Sequence, residues 1–234
     1  YALERLTHGL KYDFHKEQKI MDKIGIAFED YVANYSEKIN TNNRIYIRRA
    51  EEYKKGKKVV QTIDLIVFDN DVHLFVEVKH RDLVNKKIRE SDEGSLDLIN
   101  NIVEILFQSY KSLSDYKLNL YPSIKYSHSK IKQLFIVGQS DIYIFSEENL
   151  NKPVKDRLIK LLSNEGIDPN LIEEIPFYFC NIAIWEYFIQ ITNEIGIKRT
   201  LEEKIQRESL PVINLKDADD INYLHPDRVF EIKS

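Results

Sequence analysis

With 234 residues, 43% hydrophobic and 31% charged, the chain has room for one substantial core and a smaller annex, not for two large independent domains; 7 Gly and 6 Pro leave little room for a long disordered tract. A lone cysteine, Cys180, excludes an intramolecular disulfide and a thiolate zinc cluster, and a net charge of -4 argues against coating nucleic acid by bulk basicity. No run approaches the roughly 18 apolar residues of a membrane helix and the start lacks the apolar core of a secretion signal, so the expectation is a soluble, cytoplasmic protein that begins at Tyr1 as a trimmed chain or one domain of a longer one.

Along the chain, Ile20, Ile24, Phe28, Tyr31, Val32 and Tyr35 recur at spacings of three and four, which predicts an amphipathic helix. Arg44 to Arg49 alternates apolar and basic residues as a strand does; a polar, Lys-rich loop with Gly56 is then expected to lead into a second strand over Val59 to Phe68. Asp69-Asn70-Asp71 signals a turn, and Val72 to Lys79 alternates again, completing a hairpin. Leu96, Ile99, Val103, Leu106, Tyr110 and Leu113 predict a second long helix, Ile131 to Gly138 a strand buried on both faces, and Ile142 to Phe145 a further strand. Beyond Glu147 short helices are expected over Pro153 to Leu162 and Ile184 to Ile195, with a strand at Phe177 to Asn181 and a capping box, Thr200 with Glu203, opening a last helix.

The hairpin register follows from its turn. If Asn70 and Asp71 form a two-residue loop, Asp69 pairs with Val72, and Asp64 falls opposite Glu77. Directly opposed stems lie about 4.5–5.5 Å apart, where two like charges need a cation between them. Lys79 shares the face of Glu77 by the period of two and falls opposite Thr62. Two carboxylates beside an ammonium suit phosphodiester hydrolysis: a hard cation such as Mg²⁺ binds through one or two carboxylates with waters and substrate phosphate, while a nearby cation orients the attacking water and offsets transition-state charge.

Asp64 followed on the next strand by Glu77-Val78-Lys79, after a helix bearing Glu29, resembles the PD-(D/E)xK nuclease superfamily of restriction enzymes, junction resolvases and defence nucleases. The resemblance implies an α/β fold with a restriction-endonuclease-like core, a mixed central sheet flanked by helices, over residues 1–146; the shift to short helical patterns beyond Glu147 predicts a mainly helical C-terminal annex over 147–234 packed on it. It implies that Asp64, Glu77 and the Val78 carbonyl bind Mg²⁺ (with Mn²⁺ substituting), that Lys79 serves the attacking water, and that Glu29 completes the metal shell. Ile63 replaces the name-giving proline, and Gln108 and Tyr110 stand on the second helix, where some relatives carry substrate- or metal-contacting residues, at a spacing that matches poorly. Pro226-Asp227 with Glu231-Ile232-Lys233 fits the letters better, but three residues cannot form two strands and a turn.

Glu29 lies at the edge of its helix stripe, one turn after Gly25, where a missing side chain would let a phosphate or metal approach. Basic residues flank the hairpin, among them Arg48, Arg49, Lys58, His80 and Arg81, and with Gln108 these are the expected nucleic-acid contacts; the alternative for each is a solvated face. His80 points to the face opposite Lys79, His73 is too far up its strand to share a metal, and the other histidines lack ligand spacing, which argues against zinc. No phosphate-cradling Gly loop or serine elbow occurs, and no organic cofactor is expected. The function expected first is a Mg²⁺-dependent DNA endonuclease in restriction or antiviral defence, paired with a second copy or a partner subunit for double-strand cutting; the rivals are a catalytically silent nucleic-acid-binding or assembly module and a ribonuclease.

Overall fold

A computed structural model describes residues 18–39, 44–80, 92–139 and 147–208. The expected strand at 142–145, Arg81 with the basic residues after it, and the Pro226–Lys233 string lie outside the described residues. Helix α1 (Gln18–Ser36) precedes strands β1 (Tyr46–Arg49), β2 (Glu52–Lys55), β3 (Lys58–Gln61), β4 (Leu65–Phe68) and β5 (Val72–Lys79). Helix α2 (Asp92–Lys117) and strand β6 (Ile131–Gly138) follow, then α3 (Glu147–Asn164), α4 (Leu171–Glu174), β7 (Phe177–Asn181), α5 (Ile182–Ile195) and α6 (Ile197–Glu208).

Five strands form a mixed sheet in the order β1-β4-β5-β6-β7. β1, β4 and β5 are antiparallel neighbours, whereas β5, β6 and β7 run parallel. The β5-to-β6 connection passes through α2, the crossover that a parallel pair requires. Strands buried on both faces read as continuous apolar runs, and Leu134 to Val137 of β6 are all buried. On one face Ile66, Phe75, Leu134 and Ile136 pack under α2 and α3. On the other, Leu74, Val76, Val78 and Phe135 pack under α1, α5 and α6. The result is a central sheet flanked by helices, with the C-terminal part contributing four helices, α3 to α6, and the fifth strand of the sheet.

The hairpin has the expected register: the Asp69 N–H donates to the Val72 carbonyl at 3.0 Å, and Asp69 Oδ1 accepts from the N–H groups of Asp71 and Val72. Four expectations are corrected. The strand over Val59 to Phe68 is two strands in different sheets, β3 and β4, because Thr62 and Glu51 exchange two hydrogen bonds of 2.9 Å and pull the chain off the ladder. For the same reason Lys79 has no ladder partner at Thr62. The Lys-rich loop contains β2, joined to β3 through Gly56 and Lys57 with Lys55 paired to Lys58; Gly56 takes the positive φ of 62° that such a turn needs. Thr200 is inside α6 rather than at its cap, because Gly196, at φ 86°, ends α5 and its carbonyl accepts from both the Thr200 N–H and hydroxyl.

Candidate active site

The β4–β5 ladder ends at Leu65 and Val76. One step further along, where the register would set Asp64 against Glu77, the backbone pairing is replaced by a side chain: Asp64 Oδ2 accepts from the Val78 N–H at 2.8 Å, near enough to Glu77 for its charge to act on that carboxyl. In a ladder a residue's N–H and C=O leave the strand on the same side. The Val78 carbonyl therefore faces the edge vacated by β4, on the Asp64 side.

Glu77 and Lys79 stand together on one face, with Lys79 Nζ 2.5 Å from Glu77 Oε1 and side-chain exposures of 29% and 12% for Lys79 and Glu77. Burial, reinforced by the Asp64 charge, pushes the Glu77 carboxyl up to about 7 against the pull of Lys79. Burial also raises Asp64, opposed by the Val78 N–H and Lys79. Burial works against the Lys79 ammonium, yet Glu77, Asp64 and Glu29 hold its proton more firmly than usual. Glu29, on α1, is raised by partial burial and then by Asp64. A cavity of about 150 Å³ between α1 and the strand ends is lined by Glu29, Arg49, Asp64 and Val78 among others.

These residues form a set of hard oxygen donors whose charges are crowded together and answered by one ammonium. Among the described residues no cluster of three or more His, Cys, Asp or Glu side chains is gathered to hold a metal by itself. The chemistry fits an ion bound through two carboxylates, with waters and phosphate completing its shell, as Mg²⁺ commonly is. It does not fit a caged zinc.

The other sequence candidates are placed as follows. Arg48 is exposed and donates to the Ile47 carbonyl. The Arg49 guanidinium is held by Asp30, Asn34 and Glu37 along one side of α1. Lys58 is exposed on β3, and Gln108 is exposed on α2. Tyr110 is fully buried and donates to the Ile175 carbonyl at 2.6 Å. His73 is enclosed by the rings of Phe68, Phe75 and Tyr116, with Nδ1 2.7 Å from the Tyr116 hydroxyl, and burial pushes its pKa down to about 4.

The space at Gly25 is not left for a phosphate or metal. A Cβ there would lie 2.8 Å from Nδ1 and 2.9 Å from Cε1 of His80, so the imidazole occupies it. Alanine at 25 should gain about 1 kcal/mol of helix propensity but collide with the ring, and we expect a net loss of about 1 kcal/mol from overpacking. In a His80→Ala background the same substitution should instead stabilise; denaturant titration of the four proteins reads the sign change, and an unchanged sign would refute the contact.

Sequence reasoning missed the polar support beneath the site. The Tyr121 hydroxyl is 2.7 Å from Ser112 Oγ and accepts from the Ile63 N–H at 3.3 Å, fixing the residue before Asp64. Asp115, 3% exposed, accepts from the Tyr53 hydroxyl at 2.7 Å and faces Lys55 Nζ at 2.7 Å. The Lys55 contact is an ion pair out of hydrogen-bonding line, since Asp115 Oδ1 has no hydrogen-bond partner. The only signal for this network was an acid in the last turn of a helix, where the helix dipole disfavours it and a cation must compensate.

Among the described residues no helix is long and apolar enough to cross a membrane. No protein-family model matches the chain, and no curated protein matches it. Among solved structures, the chain is similar to the small subunit, R.BspD6I2, of the heterodimeric restriction endonuclease R.BspD6I, at 12% identity over 83% of this chain and 85% of that one, with a TM-score of 0.37.

Proposed function

We propose that this chain is a Mg²⁺-dependent endonuclease that hydrolyses phosphodiester bonds of DNA, acting in restriction or antiviral defence. The observation that carries the proposal is that Asp64, bonded to the Val78 N–H just beyond the end of the ladder, lies close enough to Glu77 for its charge to raise that carboxyl, with the Lys79 ammonium in contact with Glu77. Asp64, Glu77 and the Val78 carbonyl would hold Mg²⁺ or Mn²⁺, with Glu29 joining from α1. When bound, such an ion supplies Lewis acidity to the phosphoryl oxygen and acidifies a water.

The chain's own residues do the rest. To serve as a ligand Glu77 would have to give up its proton, while Asp64 stays oriented by the Val78 N–H. Lys79 keeps its proton, donates to the attacking water and offsets the charge that grows on the phosphoryl group. One such site serves one strand, so double-strand cutting calls for a second copy or a partner subunit.

The test is incubation with supercoiled plasmid, linear duplex, single-stranded DNA and RNA in Mg²⁺, Mn²⁺ or chelator. DNA should be cut in either metal and left intact in chelator. Cutting of RNA alone would make the chain a ribonuclease, and nucleic-acid binding without cutting under any condition would make it a binding module.

A further inference from the structure

We propose that the β2–β3 ribbon enters the major groove of duplex DNA and reads base edges with Glu52, Lys54, Val59 and Gln61. The inference rests on the DNA nuclease function proposed above. The two strands form a sheet of their own, apart from the central five. The pleat sorts their side chains: Tyr53 is buried in the core and Val60, its cross-strand partner, packs against that core. Lys55, on the same side as Tyr53, reaches Asp115.

The outer face carries Glu52 opposite Gln61 and Lys54 opposite Val59. All four are exposed, Val59 to 61%. Among the described residues none of the four side chains makes a hydrogen bond or ion pair.

A lone two-stranded ribbon is marginally stable in water, and this one is fastened at its inner face by a buried carboxylate and at its base by the Glu51–Thr62 exchange. An ordered ribbon with an outer face that stabilises nothing suits presentation to a partner. The major groove of B-DNA admits a two-stranded ribbon, and its base edges pair with these side-chain types: Lys with guanine, Gln with adenine, Glu with cytosine, and an apolar group with the thymine methyl. Exposed Lys57 at the turn supplies charge for the adjoining phosphates. Only Thr62 and Ile63 separate Gln61 from Asp64, so a duplex held by the ribbon lies beside the carboxylates. Duplex RNA, with its deep and narrow major groove, excludes such an element.

Binding is measured by fluorescence anisotropy with the full chain in chelator, where metal-dependent cutting is silent, against a pool of duplexes of randomised sequence followed by selection. A preferred sequence should emerge. Gln61→Ala should relax one position of it, losing roughly 5- to 150-fold in discrimination there. Lys57→Ala should weaken all sequences alike and lower the salt slope by about 1. Circular dichroism confirms that each exposed-site variant is folded. Absence of duplex binding by the wild type, equal binding of duplex RNA, or unchanged binding and preference when all four outer-face residues become alanine overturns the ribbon inference, whether or not the protein cuts DNA in Mg²⁺. Ribbon-dependent binding without Mg²⁺-dependent cutting sustains this inference and sinks the nuclease proposal instead.

Discussion

Replacing Lys79 by alanine is expected to slow Mg²⁺-dependent DNA cleavage by about 10²–10³-fold, the range for removing one preorganised donor from developing negative charge. The change has a second consequence, because Lys79 is also what draws Glu77 towards ionisation. Burial and the Asp64 charge hold the Glu77 carboxyl at about 7, and only its ionised form ligates a cation. Below that pH, binding must expel a proton, so apparent Mg²⁺ affinity should fall about tenfold per pH unit on acidification and level off above it. Lys79→Ala should move the break point upward.

Stability of the metal-free protein runs the other way. Glu77 would ionise near its ordinary 4.5 in the unfolded chain but only near 7 in the folded one. Its contribution is fully present below 4.5 and is lost as the pH rises through 7, until Mg²⁺ restores it. Single-turnover cleavage and calorimetry in two buffers of different ionisation enthalpy read both effects. Undiminished cleavage by Lys79→Ala, or Mg²⁺ affinity indifferent to pH across the neutral range, would remove the proposed roles.

The second large effect concerns stability, at Lys55. Taken by exposure alone, Lys55, with its side chain 44% exposed, should matter less than Asp115 at 4%. The energetics of a buried pair predict the reverse. Lys55→Ala strands a carboxylate in the interior with only the Tyr53 hydroxyl to answer it, which should cost about 3 kcal/mol, the lower end for breaking a buried pair. Asp115→Ala removes the charge together with its desolvation and frees a lysine that reaches water, so about 1–2 kcal/mol is expected. The double variant should cost no more than Asp115→Ala, a coupling that a double-mutant cycle resolves. Lys54→Ala, next door on the outer face, should stay within about 0.5 kcal/mol. Equal losses at Lys54 and Lys55 would show that Asp115 does not depend on its cation.

What could be read in the sequence was set by neighbours along the chain. The hairpin register needed only a turn closed by the Asp69 side chain and a strict period of two, and that arithmetic gives the observed pairing down to Leu65 and Val76, one step short of Asp64 and Glu77. Strand β6 announced itself through the apolar run Leu134 to Val137, buried on both faces, and α1 and α2 as apolar stripes. What escaped depends on partners far away in sequence. Val59 to Phe68 looks like one strand until Tyr121, 58 residues beyond Ile63, takes the Ile63 N–H and Glu51 takes that of Thr62. The lysines after Arg49 looked like loop because Tyr53, the residue that anchors β2, finds its partner 62 residues on. Gly25 looked like a gap for a ligand because nothing local reveals that His80 would fill it.

That imidazole has a mechanical meaning. It lies against the bare backbone of α1 one turn before Glu29, and it is the residue that follows Lys79. The ring therefore acts as a shim of fixed thickness between the helix and the end of the central strand. Together with Phe28 and Val32 packed on the sheet, that ring helps set how far the helix acid stands off from the two strand acids, so a bulkier wedge there would lever Glu29 outward without touching any of the charged groups themselves.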